Sequence, residues 1–433
     1  MQKKPLSRDF ITFLPLLCIY IVLILTFSKN ELGGDETRYV RYAKYLTQGY
    51  FIESDNPTLE NGPGYPLILA PFVGLDINPI VPKLLNALFV FLGIVYFKNT
   101  LSIYLTTGHS IKISYILGFY PPLIRWSILL YSEPFTFFLI CGFIYHTCNV
   151  YHIEKQYSKQ ILLASLYVGY LVLTKVVFLQ VISVSLVILS ITMVKKVRKA
   201  KLISLYILMG GFVLIFPYLI YAFMATGKPF YLGTVGGEIL YYRSTPFENE
   251  YGNWFATDDV YLRGKSSEGH TGLYFDLTTL SKNHIDFYKK LEGMSSIERD
   301  SAFEARAIEN MTANPKKYLI NTTANVGRLL FHYPFSYREQ NLDAYGYMIP
   351  NMFLIVFWIL SLYAAFKIRF NLPFEILFLM AFALIYMSGL ILLDGRGRNF
   401  IEVVPFMVLF ICYAFFNILN IKIKSPEFKK NNA

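Results

Sequence analysis

The residues with the plainest chemical character are Gly33-Gly34-Asp35-Glu36-Thr37-Arg38-Tyr39, a few positions after a long apolar run, Phe10 to Phe27. Two adjacent carboxylates and an arginine at the edge of a membrane segment face a cavity or a reacting group, because lipid does not accommodate them. Asp35 is read as a general base and Glu36 as its acidic partner in the same catalytic stretch. Arg38 and Tyr39 follow within one helical turn and are read as shaping the site. The structural alternative is that the acidic pair only caps a helix over 36–48, where an aspartate at the start is common. Capping does not account for the placement just after the first apolar run.

The elements that must hold this stretch are membrane helices. The chain has 433 residues, 55% hydrophobic and 17% aromatic, against roughly 45–50% apolar residues in soluble domains. The expected fold class is an all-α polytopic membrane protein with about ten transmembrane helices, each formed by a run of roughly 17–22 apolar residues. The runs are 10–28, 80–98, 112–130, 133–151, 159–174, 176–194, 202–222, 347–366, 372–393 and 399–420. Tyr65 to Leu75 is apolar but short, and a crossing there inverts every later loop, so it is read as a re-entrant or interfacial helix. Phe10 to Phe27 has no small-residue cleavage site after it and is kept as an uncleaved span.

Lysines and arginines in the short connections, from Lys3, Lys4 and Arg8 to Lys422 and Lys424, fall on one side, which the positive-inside rule makes cytoplasmic. The Asp35 loop, the long connection after residue 225 and the turn 394–398 then share the outer face. The expected organisation is an N-terminal transmembrane module, 1–225, with a catalytic first outer loop at 29–79, an outer loop region, 226–346, and a C-terminal transmembrane module, 347–433. Within the loop region Ser295 and Glu298 form a capping-box pattern that opens a helix to about Asn314. A second helix, Lys316 to Phe331, is expected along the membrane with Tyr318, Leu319, Val326, Leu329 and Leu330 on its apolar face and Lys316, Lys317 and Arg328 on its polar one. Asn310-Met311-Thr312 and Asn321-Thr322-Thr323 match the glycosylation sequon, a pattern short enough to arise by chance.

Net charge +11 raises the question of a nucleic-acid partner. The basic residues outside the long loop sit between apolar runs, where they set topology, so no nucleic acid is expected. Cys18, Cys141, Cys148 and Cys412 all lie inside apolar runs and are read as core residues rather than disulfide partners. The six histidines show no tight ligand spacing, and no essential metal or other cofactor is expected.

The order of motifs carries a resemblance. Asp35-Glu36-Thr37-Arg38-Tyr39 after a first span, then Asn61-Gly62-Pro63-Gly64-Tyr65-Pro66 before an apolar half-span, resembles the lipid-linked-sugar transferases of the glycosyltransferase C superfamily. The nearest groups are the protein O-mannosyltransferases and the aminoarabinose transferases of lipid A. The resemblance takes in Tyr131-Ser132-Glu133-Pro134, Leu173-Thr174-Lys175, and Arg396-Gly397-Arg398 ahead of Pro405, but not residues 226–292.

This resemblance implies a sugar on a polyprenyl phosphate as donor, attacked from the opposite face with inversion, at the outer surface of a bacterial or archaeal cell membrane. Asp35 matches the catalytic aspartate and Glu36 its acidic neighbour. Arg398, Arg396 and Lys175 are the candidates for the leaving phosphate, arginine because its planar fork matches phosphate. Tyr65 and Glu133 join Arg38 and Tyr39 in shaping the site. The bland readings are topology for the arginines, snorkelling for Lys175, and for Glu133 a helix-start carboxylate or a partner of Arg125. Where the aminoarabinose transferases carry a lysine before a proline pair, this chain has Asn61-Gly62-Pro63, so that phosphate contact comes from elsewhere or is absent.

Partners implied are the donor lipid, membrane lipids and an acceptor hydroxyl on a lipid, glycan or protein, for a chain acting as a monomer. The rival readings are a lipid or solute transporter using Asp35, Lys175 and Arg398 as a relay, and a non-catalytic scaffold. Transporters commonly carry inverted repeats and charges near the midplane. Here the charges gather at one face.

Overall fold

Apolar runs of this length fold as helices because every backbone polar group must be satisfied within the segment. The computed structural model describes residues 6–152, 156–195, 197–262, 277–336, 343–367 and 372–419, and shows no strand among them. In chain order the helices are α1 (Leu6–Phe27), α2 (Asp35–Thr47), α3 (Gly64–Gly74), α4 (Ile80–Tyr104), α5 (Thr107–Gly118), α6 (Pro121–Ser127), α7 (Glu133–His152), α8 (Tyr157–Thr174) and α9 (Val177–Lys195). They continue with α10 (Lys199–Thr226), α11 (Gly236–Arg243), α12 (Thr257–Val260), α13 (Leu277–Lys290), α14 (Ser296–Ala313), α15 (Pro315–Phe331), α16 (Asp343–Lys367), α17 (Phe374–Leu392) and α18 (Val404–Tyr413).

Beside others that are shorter or more polar, six helices among the described residues are by length and composition long and apolar enough to cross a membrane: α1 from Asp9, α4, α9, α10, α16 from Ala344, and α17. The run 112–130 is not one span. It breaks at Phe119-Tyr120 into α5 and α6 because Pro121 and Pro122 have no N–H to continue a helix, and Pro121 opens α6 instead. Helices α7 and α8 form over the expected residues but carry more polar side chains, which suits their position: α7 packs against α4 on one side and α8 on the other and is buried along most of its length. The last run, 399–420, is broken as well, into a 3-10 turn (Gly397–Glu402), α18 and a π turn (Ala414–Ile418). With 11 residues, α3 is too short to cross and lies against α2 and α8.

Residues between α10 and α16 build a cap with its own apolar cluster of Tyr241, Tyr242, Phe255, Val260, Leu280, Tyr288, Leu291 and Phe303. The capping box forms as read: Ser295 N–H donates to Glu298 Oε2 at 2.8 Å. Helix α15 departs from the expected amphipathic pattern. Arg328, assigned to a polar face, is buried and donates to the carbonyls of Gly252 (3.2 Å) and Pro334 (3.1 Å). The helix is wedged between cap and bundle, touching α14, α16 and α17. Both sequon asparagines, Asn310 and Asn321, are buried in helices and so do not present an acceptor amide.

Candidate active site

Gly34 has φ +56°, a conformation that costs a side chain dearly, and a Cβ there would lie 2.9 Å from the Tyr131 hydroxyl. This turn makes Asp35 the first residue of α2 and brings its backbone N–H within 3.3 Å of Tyr131 Oη. The Asp35 side chain does not cap the helix. Its Oδ1 pairs with Arg38 Nη2 at 2.8 Å and its Oδ2 with Arg398 Nη2 at 2.6 Å. Burial alone would raise the Asp35 pKa, but Arg398, Arg38 and Arg396 outweigh it and hold the carboxyl well below the usual carboxylate range.

Arg398 sits over an aromatic floor, 5.5 Å from the Trp126 ring centre and 5.1 Å from that of Tyr131. Its Nε is buried and makes no hydrogen bond among the described residues, with Glu133 Oε1 at 3.5 Å the nearest charge. Arg396 folds back on Asp394, Nε to Oδ1 at 2.9 Å and to Oδ2 at 2.8 Å. Despite its burial, Arg396 and Arg398 lower the Asp394 carboxyl to about 2.

Lys175 stands at the end of α8, and its ammonium bridges two buried carboxylates, Glu133 at 3.3 Å and Glu402. Burial opposes its charge, yet Glu133 and Glu402 raise its pKa overall. Glu402 is fully buried and also accepts from Thr136 Oγ1 at 3.1 Å and from Tyr386 Oη. Its one sequence signal was a lone carboxylate in the run Phe400–Phe410, which ordinarily marks function or pairing inside a membrane. Glu133 therefore turns to Lys175 and Arg398, not to the helix dipole alone.

Glu36, expected beside Asp35 as a second catalytic carboxylate, points the other way. Its Oε1 accepts from Leu130 N–H at 2.7 Å and pairs with the fully buried Lys83 at 3.0 Å, and its Oε2 accepts from Gly33 N–H at 3.1 Å. It fastens α2 to the start of α4 and to the segment ahead of α7, and it does not line the cavity below. Besides Asp35, Arg38 has Glu60 as an acidic neighbour, at 3.6 Å. Tyr39 reaches Ser132 Oγ at 2.9 Å and lines the cavity, whereas Tyr65 is buried behind it, edge-on at 5.0 Å.

The segment Gly62-Pro63-Gly64 owes its composition to contact. A Cβ at Gly62 would lie 2.0 Å from Leu173 O, and one at Gly64 2.5 Å from Thr174 Oγ1, so only glycine lets this loop seat on the end of α8 next to Lys175.

Asp35, Arg38, Tyr39, Glu133, Lys175, Arg396 and Arg398 open into one cavity of about 990 Å³. Its roof is the cap, through Tyr231, Glu238, Tyr242 and Trp254. From the charged end it runs along Val177, Val181 and Val184 of α9 and Leu384, Ile385 and Leu392 of α17, where Val184, Leu384 and Leu392 are exposed. Among the described residues no three His, Cys, Asp or Glu side chains gather as metal ligands, and Asp35 and Asp394 are each held by arginine. The site joins a fixed carboxylate, two arginines and an apolar trough.

No family model matches the sequence, and no curated protein matches it. Solved structures do. The apo oligosaccharyltransferase of Archaeoglobus fulgidus aligns over 93% of this chain and 50% of its own at 12% identity, with TM-score 0.51. The same enzyme tethered to an acceptor peptide containing the NVT sequon aligns over 93% and 49%, at 12% identity and TM-score 0.50. ArnT from Cupriavidus metallidurans bound to undecaprenyl phosphate aligns over 93% and 77%, at 10% identity and TM-score 0.40. The chain spans about half the length of the oligosaccharyltransferase structures it matches. It shares the membrane fold of that archaeal oligosaccharyltransferase.

Proposed function

We propose that this protein transfers a single sugar from a polyprenyl-phosphate donor to an acceptor hydroxyl at the outer face of the membrane, with inversion. The observation that carries the reading is the shared cavity: Asp35 and Arg398 meet at its charged end, and the apolar trough between α9 and α17 leads away from it. The trough suits a prenyl chain, and the arginine end suits its phosphate, Arg398 and Arg396 both lining the cavity while shared with Asp35 and Asp394. Asp35, Glu133, Asp394 and Glu402 are matched by Arg38, Lys175, Arg396 and Arg398.

In the reaction the acceptor oxygen bonds to the anomeric carbon as the bond from that carbon to the phosphate oxygen breaks. The bonding electrons leave with the phosphate, whose growing charge Arg398 and Arg396 meet. The acceptor proton passes to Asp35. A carboxylate so strongly paired is a weak base toward a free hydroxyl, but bond formation acidifies that hydroxyl, so proton acceptance comes late. Glu36 has no part in this step, and Lys175, held by two carboxylates, positions Glu133 at the cavity wall.

The test is transfer from a panel of radiolabelled polyprenyl-phosphate sugars to a membrane extract by wild-type protein and Asp35→Asn at equal levels. Transfer that collapses in the variant supports the reading. Equal transfer by both removes Asp35 as base, and retained sugar lipid with transport across vesicles in its place points to a carrier.

A further inference from the structure

The cap contributes more than cover. The segment 253–256 alternates, burying Phe255 in the cap cluster and leaving Trp254, 42% exposed, on the cavity wall. On the same wall Glu238 stands in the first turn of α11. Its Oε1 accepts from Tyr242 Oη at 2.6 Å, and Tyr242 is braced edge-on against Phe255, ring centres 4.5 Å apart. Among the described residues Tyr242 is the one donor to Glu238, so its second oxygen is left for the cavity. The start of α11 is fixed from behind by the buried Asp300, which accepts from Gly237 N–H at 2.7 Å and Tyr231 Oη at 2.6 Å. A carboxylate braced from behind and an indole thus line the same cavity as the arginines.

Resting on the reading above, we propose that Trp254 and Glu238 form a pyranose subsite. The indole offers an apolar face to the C–H side of a sugar ring, and the carboxylate accepts from its hydroxyls by charge-assisted hydrogen bonds. Phosphate is excluded there, because Glu238 repels it and the nearby Glu60 is already committed to Arg38 and Arg41. The cavity is divided accordingly: phosphate at the Arg398 end, sugar hydroxyls at the cap. The ring is either the one carried by the donor lipid or the terminal residue of an acceptor glycan, and the chemistry at Glu238 is the same for both.

The experiment uses the full chain in lipid nanodiscs, wild type, Trp254→Ala, Trp254→Phe and Glu238→Gln. Binding is measured for bare undecaprenyl phosphate, for undecaprenyl phosphate bearing each sugar of a panel, and for the matching methyl pyranosides. The expected result is unchanged affinity for bare undecaprenyl phosphate, which also confirms folding, with about tenfold weaker binding of sugar-bearing ligands by Trp254→Ala and Glu238→Gln and recovery in Trp254→Phe. If the loss appears on the sugar lipid, the ring is the donor's. If it appears only on methyl pyranosides, as a raised KM for a glycan acceptor at unchanged donor affinity, the ring is the acceptor's. Sugar-bearing ligands bound equally by wild type and variants overturn the subsite. Wild type that ignores every polyprenyl phosphate overturns the donor reading instead, and the methyl pyranosides then decide the subsite alone.

Discussion

Arg398 Nη2 donates to Asp35 Oδ2 at 2.6 Å, joining residues 363 positions apart and closing the first helical turn after the opening span onto the turn before the last. In the proposed reaction the donor phosphate and the base draw on one guanidinium. Arg398→Gln is expected to lower kcat/KM for a sugar lipid by about 10²–10³-fold, the usual loss for a group facing developing charge. Arg398→Lys is expected to recover little, since an ammonium replaces neither the fork nor the stacking on Trp126 and Tyr131. Steady-state transfer kinetics check both.

Asp35→Asn should reduce turnover by roughly 10²–10⁴-fold while donor binding persists or tightens, because Arg398 is released to the phosphate. Equilibrium binding of undecaprenyl phosphate beside single-turnover transfer separates the two effects.

The pH dependence follows from the arginines. In the proposed mechanism Asp35 works ionised, and with its pKa held below the usual carboxylate range the ionised form persists as pH falls through about 4, the ordinary value. The acid limb of the rate profile should accordingly lie below that point. Arg38→Gln removes one of the lowering charges, raises the Asp35 pKa and moves the limb to higher pH. A limb that stays put in Arg38→Gln contradicts the assignment of Asp35 as the titrating base.

Glu36→Ala should act on stability rather than chemistry. It strands the fully buried Lys83 and two backbone donors, at a cost of about 3–5 kcal/mol. Thermal unfolding in detergent should register that loss, while the surviving folded protein keeps its kcat within about twofold.

Lys175, Glu133 and Glu402 should couple. Lys175→Met leaves two buried carboxylates without their shared cation and is expected to cost about 3–5 kcal/mol, whereas Lys175→Met with Glu402→Gln costs less than Lys175→Met alone. Unfolding midpoints of the cycle give the sign directly, and strict additivity would sink the cluster.

Much of the charged end was legible because chemistry and topology agree there: Asp35, Arg396 and Arg398 are out of place as lipid-facing or cytoplasm-marking residues. Gly62 and Gly64 announced a special backbone without saying why, since their reason is the carbonyl of Leu173. The role of Glu36 was not legible. Adjacent residues on a helix point about 100° apart, and here Glu36 is drawn to Lys83 of α4 and to Leu130 N–H while Asp35 faces the cavity, an outcome set by where those partners lie. Glu402 was hidden in an apolar run and Glu238 in a region without recognisable pattern, because their partners come from distant segments. The run 112–130 misled by hydropathy alone, although Pro121-Pro122 stood in the middle of it.

The trough along α9 and α17 carries a kinetic consequence. A substrate whose tail lies there never leaves the plane of the bilayer, so the protein samples it by two-dimensional diffusion and responds to its mole fraction among lipids, not to its amount per volume of buffer. Turnover should then fall when inert phospholipid is added at constant donor and protein, and stay level when buffer is added to the same vesicles.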